Sequence, residues 1–572
     1  MKNLVLGPIP ENFDKTTHIP IDIRCFLNRE HLFSDVEKIS FVTPFKNEVR
    51  HELVDKLNKF AITLCKRHGI RLNKIHNKKY SQKFWQLALG PWLIHLLYTT
   101  WSNYCDLEEI FKKHKKKELI CTSLTPPKNW NIETTENYFS NFMLNPVFNW
   151  WTYSVFLSSF VNKSQIRIEK FSDWEAISST YAKNNTVDKS IISFYKQKIN
   201  NSLRCKNVDG IHFFGRLCLS LFLKYCPKSQ STISPSIDTP LNTQIEDFPP
   251  NFLKGLDLII KKSIPNSLSK NFIDYAKIFE KQKYYPGKFN IVQTELYCPE
   301  KNNFTIAFAK ENDEKILCVQ HGAGYGELLT YPYLQFIDYG QDGFISWGWR
   351  NHGNYKVKTL PLPAPKLSRI INKHSQCNEN IILVSHEANA TRNGSLFSIP
   401  SKNDIFTYRK EKVLFLNKLE KNLLPNVKFK PYVSNSFLCD KTFLNKTFPD
   451  IPVIDTDFHD HLLTSKITII DHPGTTLILA LVANVPTIAF WDPKLWIFTD
   501  FGRETHKNLL NAEVLFHSPE QAANQVNSVF PNVSHWWNSE KVQHARKEWI
   551  KHYGYTKKHW VLDWMKEIKK IN

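Results

Sequence analysis

Residues 467–491, with the sequence ITIIDHPGTTLILALVANVPTIAFW, constrain the fold of this chain more than any other stretch. Ile467–Ile470 and Pro486–Phe490 have the apolar, β-rich sequences of fully buried strands. A polar turn and the apolar segment Leu477–Ala483, which predicts a helix, lie between them. A strand, a helix and a strand in such a short stretch predict a parallel sheet, and ligands bind such sheets at the carboxyl ends of the strands.

The turn of this unit has the chemistry of an anion site. Pro473 lacks an N–H group, Gly474 permits close approach of a ligand, and the amides that follow lie at the positive end of a helix. The predicted ligand-binding residues of the turn are Asp471, His472, Pro473, Gly474, Thr475 and Thr476. The alternative is that the threonines only cap the helix and that His472 is an ordinary turn residue.

A second polar loop follows the predicted strand Lys315–Gln320. Its three glycines let the backbone approach a ligand closely and reverse direction sharply. His321 and Glu327 flank the glycines, and both side chains are predicted to project from the rim of this loop. The predicted ligand-binding residues of the loop are Gly322, Gly324, Tyr325 and Gly326. An ordinary tight turn is the alternative interpretation.

A third polar segment, Ser385-His386-Glu387, follows the predicted strand Asn380–Val384. Ser385 and Glu387 are predicted to bind the ligand together with the other two loops. Three polar loops at strand ends are typical of an open α/β domain whose ligand lies along one edge of the sheet.

The chain has 572 residues, which exceeds one ordinary core and predicts roughly two to four domains. A change to Pro-, Ser- and Thr-rich sequence over 226–250 marks a surface loop or linker. We predict an N-terminal α/β domain rich in helices over 1–250, a helical bridge over 251–285, a Rossmann-like domain over 286–535, and closing helices over 536–572.

Several further predictions concern local structure. Ile39–Val42 and Ile451–Asp455 have the apolar sequences of short strands, and Glu411–Leu424 has helical spacing. Ser81 is predicted to cap a helix that breaks at Gly90-Pro91 and then resumes, because proline removes a backbone hydrogen bond.

The charge of the chain favours anionic partners. Lys and Arg number 75 against 54 Asp and Glu, a formal net charge of +21. The charge alone does not separate nucleic acid, anionic membrane and acidic sugar. Zinc-finger, RNA-recognition and long basic-tail patterns are absent from the sequence, so nucleic acid is not a predicted partner.

The cysteine pattern and the N-terminus indicate the compartment. The eleven cysteines are scattered without closely spaced pairs, which is typical of a reducing cytosol. The N-terminal sequence MKNLVLGPIPENFD does not have the pattern of a signal peptide. The longest apolar stretch, Leu87–Trp101, contains Gly90, Pro91 and His95 and is too short to span a bilayer. We therefore expect a cytoplasmic protein, either soluble or peripheral at the inner face of the membrane.

Several motifs together resemble a family of transferases found in bacterial O-antigen and surface-polysaccharide gene clusters. The motifs are Leu89–Leu93 (LGPWL), Gln320–Gly326 (QHGAGYG), Ser346–Trp349 (SWGW), Asp471–Thr476 (DHPGTT), Ala483–Ile488 (ANVPTI) and Phe490–Asp492 (FWD). The resemblance spans most of the chain. It implies a GT-B-like α/β fold with two Rossmann-like domains, the N-terminal one elaborated with helices.

Two more distant resemblances concern the donor. Asp471–Pro486 is similar to the nucleotide-binding segment of UDP-N-acetylglucosamine 2-epimerase and its glycosyltransferase relatives. There a Glu that grips the ribose precedes the Ala, whereas here Leu479 precedes Ala480. The His472-Pro473 pair resembles the nucleotide-binding motif of bacterial sialyltransferases, which use CMP-activated acidic sugars. Their acidic N-terminal motif has only a partial counterpart here, Asp209-Gly210.

These resemblances imply a metal-independent glycosyltransferase that moves a sugar from a nucleotide-sugar donor to a glycan or lipid-linked glycan acceptor. An acidic nonulosonic or Kdo-like sugar from a CMP donor, transferred to a bacterial surface glycan, is the form that we favour. The donor is a co-substrate, and no cofactor or metal is implied. Asp455-Thr456-Asp457 matches a metal-binding D-x-D only in letters, because it lies in a proline-flanked segment.

The catalytic residues predicted for such an enzyme are His321 and Glu327, as candidates for the general base that deprotonates the acceptor hydroxyl. An acid from the N-terminal half is the alternative base. Two other functions stay open, namely a sugar-nucleotide epimerase or hydrolase that uses a UDP-sugar, and a non-enzymatic polysaccharide-assembly protein.

The last helices combine lysines with Trp549, Trp560 and Trp564. Lys and Trp together are typical of a helix that lies on an anionic membrane, where a lipid-linked acceptor would be found. The alternative is that the tryptophans pack on the C-terminal domain and the lysines form a solvated rim.

Overall fold

The computed structural model describes residues 2–571 except for 28, 30, 31, 33–35, 37, 43, 46–49, 115–118, 126–129, 144, 161–165, 172–203, 207, 226–246, 294–298, 330–336, 354, 388–402 and 433–439. The predicted linker over 226–250 lies mostly outside the described residues.

The N-terminal part has a sheet of four parallel strands in the order β2-β1-β3-β4. Its strands are β1 Lys2–Val5, β2 His18–Pro20, β3 Leu119–Leu124 and β4 Ile166–Phe171. Its helices are α1 Arg50–His76, α2 Gln82–Lys113, α3 Thr135–Asn137 and α4 Pro146–Leu157, with a π-helix at Tyr138–Phe142 and a 3₁₀-helix at Ile23–Phe26. Strands β2, β3 and β4 of this sheet were not predicted.

A second sheet contains five parallel strands in chain order, β5-β6-β7-β8-β9. The strands are β5 Cys205–Lys206, β6 Phe289–Gln293, β7 Lys315–Val319, β8 Gly343–Ser346 and β9 Thr359–Pro361. The helices of this stretch are α5 Phe213–Tyr225, α6 Pro250–Ser263, α7 Phe272–Glu280 and α8 Glu300–Glu311, with 3₁₀-helices at Asn266–Leu268 and Leu367–Arg369.

The third sheet has five parallel strands in the order β11-β10-β12-β13-β14. The strands are β10 Ile381–Val384, β11 Val427–Lys430, β12 Ile467–Ile470, β13 Thr487–Phe490 and β14 Leu515–Phe516. The strand order reverses direction between β10 and β12. In doubly wound sheets the ligand crevice lies outside the carboxyl ends of the strands at such a reversal.

The remaining helices complete the C-terminal half. They are α9 Ile405–Lys418, α10 Asp440–Thr447, α11 Phe458–Thr464, α12 Thr475–Ala483, α13 Asp500–Asn511, α14 Pro519–Val529, α15 Val533–Trp537, α16 Glu540–Tyr553 and α17 Trp560–Lys570, with 3₁₀-helices at Leu424–Asn426 and Phe530–Asn532.

Alternate residues of the third sheet enter different cores. Ile467 and Ile469 pack in a cluster with residues of α9 and α14, whereas Ile470 packs in the large cluster that includes α12. Both faces of the sheet are therefore covered by helices, which explains the continuously apolar strands. The predicted fold class, α/β with Rossmann-like parallel sheets, is confirmed.

Residues 286–535, predicted as one domain, contribute strands to two sheets. Strands β6–β9 belong to the second sheet, together with β5 at Cys205–Lys206, whereas β10–β14 form the third. Alternating strands and helices predict parallel pairing, but the pattern does not specify which strands share a sheet. The boundaries at residues 250, 285 and 535 remain predictions.

Four local predictions are wrong. Ile39–Val42 is not a strand, and Ile451–Asp455 contributes only an isolated bridge at Val453. The helix predicted over Glu411–Leu424 covers Ile405–Lys418 instead. Helix α2 is continuous through Gly90-Pro91, because it is buried on nearly all sides, and this packing holds the helix against the loss of one hydrogen bond.

Of the closing helices, α16 packs against α12 and α13, whereas α17 packs with α5 in the core of the second sheet. Trp549 and Trp564 are buried, at 2% and 0% exposure, so these two rings do not face outward as the membrane interpretation required. Among the helices described here, none has both the length and the apolar character that crossing a bilayer requires.

Candidate functional site

The carboxyl ends of the second and third sheets bring the three predicted loops together. The glycine loop follows β7, Ser385–Glu387 follows β10, and Asp471–Thr476 follows β12. The last two loops flank the strand reversal of the third sheet, where a ligand crevice is expected. The geometry therefore unites the parts of a site that the sequence places far apart.

Asp471 is the buried centre of the third-sheet loops. Its carboxylate accepts hydrogen bonds from the Ser385 hydroxyl at 2.7 Å, the His386 amide at 3.0 Å and the Tyr408 hydroxyl at 2.8 Å. Its Oδ1 also lies 3.0 Å from Nδ1 of His472. Asp471 has no exposed surface, so it positions the loops and does not contact a ligand itself.

A buried lysine compensates the charge of Asp471. The Lys412 ammonium of α9 lies 3.6 Å from Asp471 and 3.1 Å from Asp440, and Arg409 pairs with Asp440 at 3.0 Å. Burial opposes ionisation of Asp471, but the Lys412 charge and the hydrogen bond with His472 outweigh it and hold the pKa of this carboxyl well below its ordinary value. The carboxylate is therefore available to orient the imidazole of His472.

Of His472, Asp471, Lys412 and Asp440, His472 keeps the most exposed surface. It retains 8% exposure, and its ring lies over Gly474, where an added Cβ would come within 2.4 Å of the imidazole. Because Nδ1 faces Asp471, Nε2 is the nitrogen left for a ligand. Pro473 is buried, whereas Gly474, Thr475 and Thr476 are half-buried at the start of α12.

An aromatic wall formed by His386, Tyr432 and Trp496 lies beside His472. These three residues were not among the predicted site residues. The half-buried His386 ring lies 5.3 Å from that of His472, 4.9 Å from Tyr432 and 5.9 Å from Trp496. His386, Tyr432 and Trp496 follow β10, β11 and β13, and His472 follows β12. Four strand ends of one sheet therefore contribute to the same place. The sequence signal was the position of His386 after a buried strand.

Ser385 and Glu387 support the loops from within. Ser385 is occupied by its hydrogen bond to Asp471, and the buried carboxylate of Glu387 accepts the Asp440 amide at 3.3 Å. Both side chains therefore face the buried charges rather than the crevice.

Gln320 holds the glycine loop in place, and it too was not among the predicted site residues. Its side-chain oxygen accepts the Trp347 amide and the Trp349 indole N–H, both at 2.8 Å, and its side-chain amide donates to the Gly322 carbonyl. Gly326 has a φ of +79° and lies so close to Trp349 that an added Cβ would be 2.5 Å from the indole ring. Glycine is therefore required there.

His321 is oriented by two buried residues. The Tyr325 hydroxyl donates to Asp338 at 2.8 Å and lies 2.8 Å from Nδ1 of His321. With the hydroxyl proton directed at Asp338, Nδ1–H of His321 donates to the hydroxyl oxygen, which leaves Nε2 unprotonated. Burial lowers the pKa of His321 to about 4, so the ring is neutral near pH 7.

Glu327 does not project from the rim of the loop, as the sequence predicted. It is 2% exposed, accepts the Gly324 amide at 3.1 Å and lies 3.5 Å from Nε2 of the buried His506. His506 belongs to α13, so this helix covers the carboxylate, which bonds the backbone of the glycine loop from its buried side.

The two sheets meet at Thr475. Its hydroxyl oxygen accepts the Ala323 amide at 3.1 Å, and an added Cβ on Gly322 would lie 3.0 Å from the same atom. The glycine loop of the second sheet therefore contacts the helix start of the third sheet directly.

The partial acidic motif also belongs to this edge. Asp209-Gly210 follows β5 of the second sheet, and the Asp209 charge acts on His321. Gly210 has a φ of +82°, and its carbonyl accepts a hydrogen bond from Arg369 at 2.6 Å.

The two carboxylates of the D-x-D letters, Asp455 and Asp457, lie in a segment with structural roles. Asp455 pairs with Lys441 at 2.8 Å, and Asp457 precedes α11 with a φ of +50°. Within the described residues, no group of three or more His, Cys, Asp or Glu side chains is arranged to hold a metal ion.

A family model described as LIC12162 family transferase matches residues 2–568. A comparison with curated proteins found no match.

Solved structures with partial similarity include S. aureus MnaA with UDP, at 13% identity over 55% of this chain and 85% of that one, with a TM-score of 0.32. MurG from Acinetobacter baumannii is 11% identical over 55% and 79% of the two chains, with a TM-score of 0.29. An E. coli trehalose-6-phosphate structure with UDP-2-fluoro glucose is 8% identical over 82% and 95%, with a TM-score of 0.33. At these values the likeness supports no inference about substrate.

Proposed function

The chain belongs to the LIC12162 family of transferases, and on this premise we propose that it is a glycosyltransferase that uses a nucleotide-sugar donor. The observation that carries the proposal is the pairing of His472 with the buried Asp471 at the start of α12, on the edge where the strand order reverses. An imidazole held by a carboxylate beside the amides of a helix start suits a phosphate group.

The donor phosphate would lie against His472, Thr475 and Thr476. During transfer, the bond between the anomeric carbon and the phosphate oxygen breaks, and negative charge develops on the leaving nucleotide. Amides, hydroxyls and the His472 imidazole stabilise that charge without a divalent cation. The wall of His386, Tyr432 and Trp496 offers aromatic surface to the donor next to this position.

The acceptor would approach from the glycine loop. Its hydroxyl oxygen attacks the anomeric carbon, and its proton passes to Nε2 of His321. Tyr325 and Asp338 keep that nitrogen unprotonated, which supports the choice of His321 over the enclosed Glu327 as the base.

The donor that we propose to test first is a CMP-activated acidic sugar of the nonulosonic or Kdo-like type. The His472-Pro473 pair and the replacement of the ribose-gripping Glu by Leu479 support this choice over a UDP-sugar. The acceptor that we propose is a bacterial surface glycan, such as O-antigen or capsule, either free or linked to lipid.

A panel of CMP-, UDP-, GDP- and dTDP-sugars tests the proposal by nucleotide release and by thermal shift. We expect one nucleotide class to stabilise the protein and to be released faster when a glycan acceptor is present. Turnover of a UDP-sugar to its epimer, or release of free sugar regardless of acceptor, would support an epimerase or hydrolase instead. No shift with any nucleotide sugar would favour a non-enzymatic assembly role.

A further inference from the structure

Helix α5 has an apolar face that points away from the protein. Phe214, Cys218, Leu221 and Tyr225 recur at helical spacing, and Phe214 and Tyr225 are 76% and 75% exposed. Leu219 and Leu223, on the opposite side, are buried in the core over the second sheet. A helix that is apolar on both sides needs a second apolar environment on its outer side.

The C-terminal helix α17 lies beside α5 and extends this surface. Trp564 and Ile568 are buried in the same core as Leu219 and Leu223, and an added Cβ on Gly215 of α5 would lie 3.6 Å from Trp560. Because both helices bury one side in that core, their outer sides point the same way. On α17 the outer side carries Leu562, which is 67% exposed, followed at helical spacing by Lys566 and Lys569.

The charge around this surface is strongly positive. Helix α5 carries Arg216 and Lys224 and no acidic residue. Residues 557–570 contain five lysines against two acids, and those acids pair with Lys557 and Lys570. Lys558, Lys566 and Lys569 remain exposed around Leu562.

We propose that the outer face of α5 and α17 docks on an anionic lipid bilayer. Exposed aromatic and aliphatic side chains rimmed by lysines match an interface in which rings enter the headgroup layer and ammonium groups contact lipid phosphates. A second copy of the chain would bring two lysine-rich faces together and is disfavoured by charge.

Docking through this face would place the membrane near the proposed acceptor side of the site. Helix α5 begins three residues after Gly210, and the neighbouring Asp209 acts on His321 at the edge of the second sheet. A lipid-linked acceptor in the bilayer would therefore be presented on the acceptor side of the crevice. The docking itself does not depend on the proposed reaction.

Co-sedimentation of the full chain with vesicles tests the inference. We expect binding to phosphatidylcholine vesicles that contain phosphatidylglycerol, little binding to phosphatidylcholine alone, and release at high salt. The double variant Phe214→Ser/Tyr225→Ser and the double variant Lys566→Glu/Lys569→Glu should each weaken binding by about tenfold or more.

Matched control variants change equally exposed residues elsewhere. Ile70→Ser/Ile75→Ser removes two exposed apolar side chains from α1, and Lys254→Glu/Lys270→Glu reverses two exposed lysines near α6 and α7. Both controls should bind like the wild type. All variants should keep the thermal midpoint of the wild type, since the changed side chains lie outside the core.

Three results would overturn the inference. Failure of the wild-type chain to bind anionic vesicles at low salt is the first, and equal binding to neutral vesicles is the second. The third is a chain that leaves vesicles in solution and is dimeric by light scattering, with Phe214→Ser/Tyr225→Ser converting it to a monomer. That result would assign the face to a second copy. None of these results bears on nucleotide-sugar turnover, which needs no vesicles.

Discussion

The hydroxyl of Thr475 accepts a hydrogen bond from the backbone amide of Ala323 at 3.1 Å, across a separation of 152 residues. Thr475 begins the helix that follows His472, and Ala323 lies in the loop that follows His321. The bond joins the strand ends of two different sheets. It therefore holds the proposed phosphate-binding turn and the proposed base in one fixed arrangement.

Replacement of His472 should remove transfer without unfolding the protein. We expect His472→Ala to abolish activity and to leave the melting temperature within a few degrees, because the ring edge faces the crevice. Gly474→Ala should also reduce activity strongly, since its Cβ would displace the His472 ring. His459→Ala, at an exposed position, serves as the control. Full activity in a folded His472→Ala protein would remove this turn from the mechanism.

Lys412 should be essential for stability. Lys412→Met leaves the buried carboxylates of Asp471 and Asp440 without their shared cation, and breaking such a pair costs about 3–5 kcal/mol of unfolding free energy. Urea denaturation measures the loss. Adding Asp471→Asn to Lys412→Met should recover part of it, because Asp440 keeps Arg409 as its partner and the carboxylate left without a cation is then gone. A loss of unfolding free energy under about 1 kcal/mol for Lys412→Met would contradict the role of Lys412 as the cation shared by Asp471 and Asp440.

The pH dependence of transfer should reflect the neutral state of His321. Its pKa is lowered to about 4 by burial, so a base at this position loses activity only as the pH falls toward that value. We expect kcat/KM to show no limb from His321 above about pH 5. Tyr325→Phe should lower kcat, because Asp338 no longer orients the ring. Unchanged kcat in His321→Gln would assign the base elsewhere.

Chelation should leave activity intact. Excess EDTA is expected to have no effect on transfer. Asp455→Asn/Asp457→Asn should retain activity, because Asp455 pairs with Lys441 and, among the described residues, neither carboxylate belongs to a group of three or more side chains that could hold a metal ion. Complete loss with EDTA and recovery with Mn²⁺ would show that the reaction is metal-assisted.

Glu300 should make stability depend on pH. This fully buried carboxyl accepts hydrogen bonds from Ser267 and from the Thr135 amide, and burial raises its pKa from 4.5 to about 7. Because the folded state binds the proton more tightly, the contribution of the neutral acid is full below pH 4.5 and is lost as the pH rises through 7.

The unfolding free energy of Glu300→Gln minus that of the wild type should therefore rise by about 2–3 kcal/mol from pH 5 to pH 8. Urea denaturation at both pH values measures the difference. The exposed Glu420→Gln should show no such trend. If the difference in unfolding free energy between Glu300→Gln and the wild type is the same at both pH values, the raised pKa of Glu300 is contradicted.

The local units of this protein followed from the sequence. The strand, turn and helix over 467–491 were predicted because each element is specified within a few residues, by apolar runs, a proline, a glycine and hydroxyls. The same reasoning located the loops after β7 and β10 and the parallel α/β class. Short and weakly apolar strands such as His18–Pro20 and Cys205–Lys206 carried no such signal and were missed.

Only the tertiary structure decided which side chain does what within the site. Asp471, Ser385 and Glu387 are polar residues at strand ends, like His472, yet Lys412, Tyr408 and Asp440 enclose them and leave the His472 ring at the crevice. Glu327 was expected at the rim, but His506 from α13 covers it. The sequence determines the period and chemistry of each segment, whereas burial and partners arise from segments far apart in the chain, and long-range packing sets those contacts.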